Sequence, residues 1–150
     1  MFSKKAKYAL QAMILLAQEY DSGPVLIADL AERGRMPGKF LELILLSLKN
    51  HGLLQSRKGR GGGYSLGRPP DQITMGEVIR IVEGPLAPLP CVSKIAYHRC
   101  EECVDERTCG IRLVMKEVRD GIASILDGTT FDDVLKRVKK AEKAVQAKGR

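Results

Sequence analysis

Aromatic side chains are scarce in this chain: it has no tryptophan, and aromatic residues make up only 5% of its 150 residues. Proteins that read single-stranded RNA stack bases on exposed aromatic rings, so this composition argues against that function. Histidines number only two, His51 and His98. A cysteine-nucleophile enzyme needs a base beside its thiolate, and His51 falls at a predicted helix end, which argues against catalysis. Long apolar runs are absent too, so no stretch is expected to span a bilayer. The opening Met1-Phe2-Ser3-Lys4-Lys5 lacks the apolar block and cleavage site of a signal peptide. The expected location is the cytoplasm, with no membrane partner. Acids are in deficit, with 18 Asp and Glu against 25 Lys and Arg, a formal charge of +7 and a pI near 9.4. A basic surface concentrates phosphate-bearing ligands around it.

The length suits one compact body, and 44% hydrophobic residues suffice for a core. Apolar residues at helical spacing predict a helix from Ser3 to about Tyr20, ended by Asp21-Ser22-Gly23-Pro24. A short helix follows over Val25 to Arg33, stopped by Gly34, then a tight connector in which Pro37 presets the next helix. That helix, about Gly38 to His51, is expected to bury Phe40, Leu41, Ile44, Leu45 and Leu48. Two helices on so short a turn form a helix-turn-helix, whose second member can lie in a major groove.

Leu53-Leu54-Gln55-Ser56 and Tyr64-Ser65-Leu66 read as paired strands around Arg57-Lys58-Gly59-Arg60-Gly61-Gly62-Gly63. Glycines permit a tight turn and close approach, and the three cations have no acid between them. The pattern fits a winged-helix wing meeting phosphates; a nucleotide-binding loop would need a helix after the glycines, where a strand continues instead. Thr74 to Glu77 is a capping box that opens a helix from Met75 to Glu83. The segment Pro85-Leu86-Ala87-Pro88-Leu89-Pro90 resists regular structure and leads to a loop holding Cys91, Cys100, Cys103 and Cys109. A long helix from about Cys109 to Leu126 carries the stripe Ile111, Val114, Met115, Val118, Ile122, Ile125 and Leu126. The stripe packs either against a second copy, in a homodimer matched to paired DNA half-sites, or within its own chain. Thr130 caps a last helix that is expected to fray beyond Lys139-Lys140. The fold class is therefore mainly α with a small β wing. Residues 1–84 form a winged helix-turn-helix domain, 85–108 a cysteine-rich sensor loop, and 109–150 the dimerisation helix and a C-terminal helix.

Lys7-Tyr8-Ala9-Leu10, Phe40-Leu41-Glu42, Gly52-Leu53-Leu54, Gly59-Arg60-Gly61-Gly62-Gly63-Tyr64 and Glu83-Gly84-Pro85-Leu86 together resemble the Rrf2 family of bacterial regulators, including its IscR-like branch, from about residue 3 to residue 138. The resemblance implies a homodimeric winged-helix repressor or activator of transcription that binds a double-stranded operator and senses through the loop. It puts the groove-reading glutamate at Glu42, suited to accept from the exocyclic amine of cytosine. The wing arginine of the family falls on Lys58, so minor-groove insertion is shared with Arg57 or Arg60. Leu43 and Leu46 stand at outer positions where the family has polar residues. The candidate DNA-binding set is Lys4, Lys5, Lys7, Lys39, Glu42, Arg57, Lys58, Arg60 and Tyr64, with a plain solvated helix face as the other reading of Lys4, Lys5 and Lys7.

Four cytosolic thiols suit either a tetrahedral zinc site or an iron-sulfur cluster, and spacing does not separate the two. The resemblance implies a cluster: Cys103 and Cys109 lie six residues apart as the last two family cysteines do, and Cys91 matches the first. IscR-like members use a histidine where this chain has Arg112, and nitric-oxide-sensing members an acid where it has Lys7. Cys100 is left as the candidate fourth ligand, with His98 as an alternative. The expected cofactor is a 2Fe-2S cluster, with a 4Fe-4S cluster, zinc, or no cofactor and a thiol switch as alternatives. A further alternative is sensing through a protein partner, as cysteine-metabolism repressors of the family do.

Overall fold

A computed structural model describes residues 2–149. Helix α1, Lys4–Gln18, is its centre, because alanines at positions 6, 9, 12 and 17 let neighbours approach closely while Met13, Leu15 and Leu16 fill the space between them. The Ser3 hydroxyl accepts from the Ala6 N–H and caps the start of the helix. Around α1 pack α2 (Ile27–Gly34), α3 (Gly38–Asn50), α4 (Met75–Glu83) and α6 (Phe131–Lys148). The remaining helix, α5 (Gly110–Asp127), has no fully buried residue. The expected architecture of helices with one small sheet is what the chain adopts.

Several local expectations need correction. Helix α2 begins at Ile27, not Val25, and includes Gly34 as its last residue, with the left-handed conformation at its end taken by Arg35 at φ 53°. Phe40 is not buried. It is 38% exposed and meets the Tyr8 ring edge-on with centroids 5.8 Å apart, so the start of α3 lies beside the start of α1. The last helix does not fray at Lys139 but runs to Lys148. Its cap is more than the threonine: Thr130 and Asp133 form a full capping box, each side chain accepting from the other's backbone N–H.

Strands β1 (Leu54–Arg57) and β2 (Gly63–Leu66) form an antiparallel hairpin with Arg57 opposite Gly63. The hairpin is tethered near its turn end, where Val25 and Tyr64 exchange backbone hydrogen bonds of 2.8 Å in both directions. This tether explains Gly63. Its φ of 133° disfavours other residues, and a Cβ there would stand 2.2 Å from the Val25 carbonyl oxygen. A second cross-link joins Ile73 to Phe131 and Met75 to Thr129, so Phe131, fully buried, belongs to the main core with α1 and α3. A smaller cluster of Ala6, Ile79 and Leu86 takes in Ile122, Ala123 and Leu126, and this docks the C-terminal half of α5 on α1 and α4.

Candidate functional site

Helix α3 buries Leu41, Ile44, Leu45 and Leu48 on one side. At 100° per residue the opposite side carries Lys39, Glu42, Leu43, Leu46, Lys49 and Asn50, all exposed. Helix α3 follows α2 after only Arg35, Met36 and Pro37, and Met36 is buried between them. The pair is therefore rigidly seated. Arg57, Lys58 and Arg60 are all exposed on the hairpin. Among the described residues, none of Lys39, Arg57, Lys58 and Arg60 enters an ion pair, so their charge is left for an external anion. Lys4 and Lys7 are exposed at the start of α1, while Lys5 is half-buried. Tyr64 is different: its backbone serves the Val25 tether, and its side chain packs on the core. That position makes it a support for the wing more than a surface contact.

The cysteine loop starts with a single 3-10 turn, Pro90–Val92, and ends where Cys109 caps α5. Cys91, Cys100, Cys103 and Cys109, with His98, line one cavity of about 410 Å³. Among the described residues no group of three possible ligands is close enough to hold one metal ion, so coordination requires the loop to contract around its centre. The donor set nevertheless fits a cluster or zinc: four thiols, none in a disulfide, facing a common space. Cys100 donates to the Glu102 carboxylate at 2.7 Å, and that bond pushes its thiol pKa up. Partial burial, then the neighbouring Cys109, pushes the Cys103 thiol up. Both effects favour the protonated thiol at these two positions.

Two residues that sequence reading missed tie this loop to α5. Arg112 Nε donates to the Cys91 carbonyl at 3.2 Å, and Arg119 donates to the Val92 carbonyl at 2.7 Å. Their spacing of seven, two helical turns, is the signal that could have paired them. Arg112 thus holds the loop in place where the resemblance would have put a histidine ligand. At its other end α5 is joined to α4 by Arg80, which donates to both Asp127 oxygens at 2.5 and 2.8 Å. Gly76 makes this possible, since a Cβ there would lie 1.9 Å from the Asp127 carboxylate.

The Arg80 guanidinium holds the Asp127 carboxyl below the usual carboxylate range. A depressed carboxylate stabilises the fold above its unfolded pKa, about 4, and the effect is lost as pH falls through the folded value. Both side chains are more than a third exposed, so solvent screening limits the pair to about 1 kcal/mol or less. Asp127→Asn is expected to lower Tm by about 2–4 °C at neutral pH, with the gap to the parent closing below pH 4 in thermal melts. An undiminished gap in acid would assign the effect to something other than the ion pair.

The profile of the Rrf2 family, described as an iron-dependent transcriptional regulator, matches residues 2–137. An rrf2-like HTH-type transcriptional regulator of Rhodobacter capsulatus is 44% identical over 138 residues, covering 90% of this chain and 92% of the relative. The structure of CymR, the global cysteine regulator of Bacillus subtilis, superimposes with a TM-score of 0.77 at 32% identity, covering 91% of this chain and 97% of that one. The structure of IscR of T. potens superimposes with a TM-score of 0.75 at 33% identity, covering 94% of this chain and 90% of that one. No helix among the described residues is long and apolar enough to cross a membrane.

Proposed function

The chain belongs to the Rrf2 family of DNA-binding transcriptional regulators, and within it we propose a cytoplasmic homodimer whose operator affinity is set by an iron-sulfur cluster on Cys91, Cys100, Cys103 and Cys109. The observation that carries this reading is the convergence of four free thiols on one cavity whose wall is tied to α5. Such a cluster would be held by the four cysteine thiolates, its iron taking the place of their protons.

The chain's own residues carry the consequence. Arg112 and Arg119 hold the Cys91 and Val92 carbonyls from α5, so a change in the shape of the loop would pull on that helix. Helix α5 is packed on α4 and α1 through Ile122, Ala123 and Leu126 and joined to α4 by the Arg80–Asp127 pair, the route by which such a pull would reach the DNA-binding half. Helix α1 packs directly on α3, so the spacing of two α3 helices in a dimer depends on the loop. Contact with DNA comes from Lys39, Glu42, Arg57, Lys58 and Arg60, with Lys4, Lys5 and Lys7 on the flanking backbone.

The test is to titrate operator DNA with protein purified without oxygen and with the same protein stripped of iron. Iron and sulfide should be found together with visible absorbance that fades in air, and the two forms should differ in affinity by about 5- to 150-fold. Cys103→Ser should abolish both the colour and the difference. Colourless protein with bound zinc, or equal affinities, would refute cluster control. A second reading, thiol or partner sensing, is favoured by the likeness to CymR, a global cysteine regulator, and predicts the colourless result.

A further inference from the structure

Leu43 is 66% exposed and Leu46 45% exposed on α3, a costly position for leucine on a helix whose other leucines, Leu41, Leu45 and Leu48, are buried. We infer that these two side chains read thymine, packing on its C5-methyl group in the major groove, beside a cytosine whose amine donates to Glu42. The inference rests on α3 being the helix that enters the groove, and it assigns the bases that α3 selects.

The stripe formed by Lys39, Glu42, Leu43, Leu46, Lys49 and Asn50 has Leu46 at its middle and a lysine near each end. The lysines are ten residues apart, about 15 Å along the axis, close to the width of a major groove, about 12 Å. They therefore suit the two phosphate backbones that border such a groove. The wing adds Arg57, Lys58 and Arg60 without an ion-pair partner among the described residues. An apolar strip ringed by cations calls for a partner that is anionic at its edges and apolar at its floor. A duplex offers that combination, and the thymine methyl is the apolar group its major groove presents. Three residues of helix separate the leucines by about 4.5 Å, one to two base steps of about 3.4 Å each. Glu42 adjoins Leu43, so the cytosine and the thymines fall within about two base pairs of one another.

The experiment selects duplexes from a randomised pool with the full chain, then replaces each thymine of the enriched site by uracil, which removes only the methyl group. Enriched sites should pair cytosine with nearby thymine, and each critical uracil should weaken binding about fourfold. The Leu43→Ala, Leu46→Ala double variant should bind thymine and uracil duplexes equally, with an unchanged salt dependence. Uracil sites bound as tightly as thymine sites by the parent protein, or a double variant that still prefers thymine, would overturn the assignment while leaving DNA binding intact. Failure to enrich any site would instead remove the groove-reading role of α3, and with it the thymine assignment, leaving an acidic protein surface as the occupant of the stripe.

Discussion

Replacing Arg57, Lys58 and Arg60 together by alanine is expected to remove most of the affinity for duplex DNA and most of its salt dependence. All three are exposed on the hairpin and unpaired among the described residues, so no internal contact is lost with them. Each cation that neutralises a phosphate releases counterions and contributes about 0.9 to the log–log salt slope. With a wing on each of two protomers, the slope should become shallower by about 5, equivalent to about three decades of affinity change between 50 and 200 mM salt. The fold should be untouched, because the hairpin is held by its ladder, by the Val25–Tyr64 tether and by the glycine conformations. Fluorescence anisotropy against salt concentration measures the slope, and circular dichroism checks the fold. A variant with unchanged slope would show that the wing does not meet phosphate, and that another face is the working one.

The next largest effect is expected from Val114→Glu combined with Val118→Glu. These valines are 55% and 39% exposed on α5, in line with Ile111 at 65% and Ile125 at 66%. An apolar stripe this long on a surface helix marks an interaction site, and a symmetric dimer covers it with its own copy. Two glutamates opposite their symmetry mates bring like charges into an apolar seam, so the chain should sediment as a monomer. Because the stripe's exposed residues take no part in the core, the monomer should keep its helical content. Two linked half-site contacts exceed one by about 10²- to 10⁴-fold through effective concentration, and operator affinity should drop by that range. A variant that remains dimeric in sedimentation velocity would place the subunit contact elsewhere.

The wing and the outer face of α3 were legible because their signals are local. Gly59 to Tyr64 can only turn and return, and the periodicity of α3 separates Leu41, Ile44, Leu45 and Leu48 from the outer residues without reference to any partner. The Thr74–Glu77 box fixed the start of α4 for the same reason. Phe40 was misread because one aromatic at the edge of a stripe fits either side of it. Its exposure was settled by Tyr8, more than thirty residues away.

From the sequence alone came the elements, the basic hairpin, the outer face of α3 and the gathering of four cysteines into one loop, since each depends on spacing within a few turns of chain. Tertiary structure alone decided that Arg112 and Arg119 grip the loop, that Gly76 admits the Arg80–Asp127 pair, that Phe131 joins the core of α1, and that the α5 stripe divides, with Ile122 and Leu126 packed inward and Ile111, Val114, Val118 and Ile125 open to solvent. These contacts join residues up to tens of positions apart in the chain. Which partners meet across such distances is set by how whole faces pack against one another, and hydrophobic pattern specifies the faces but not their pairing.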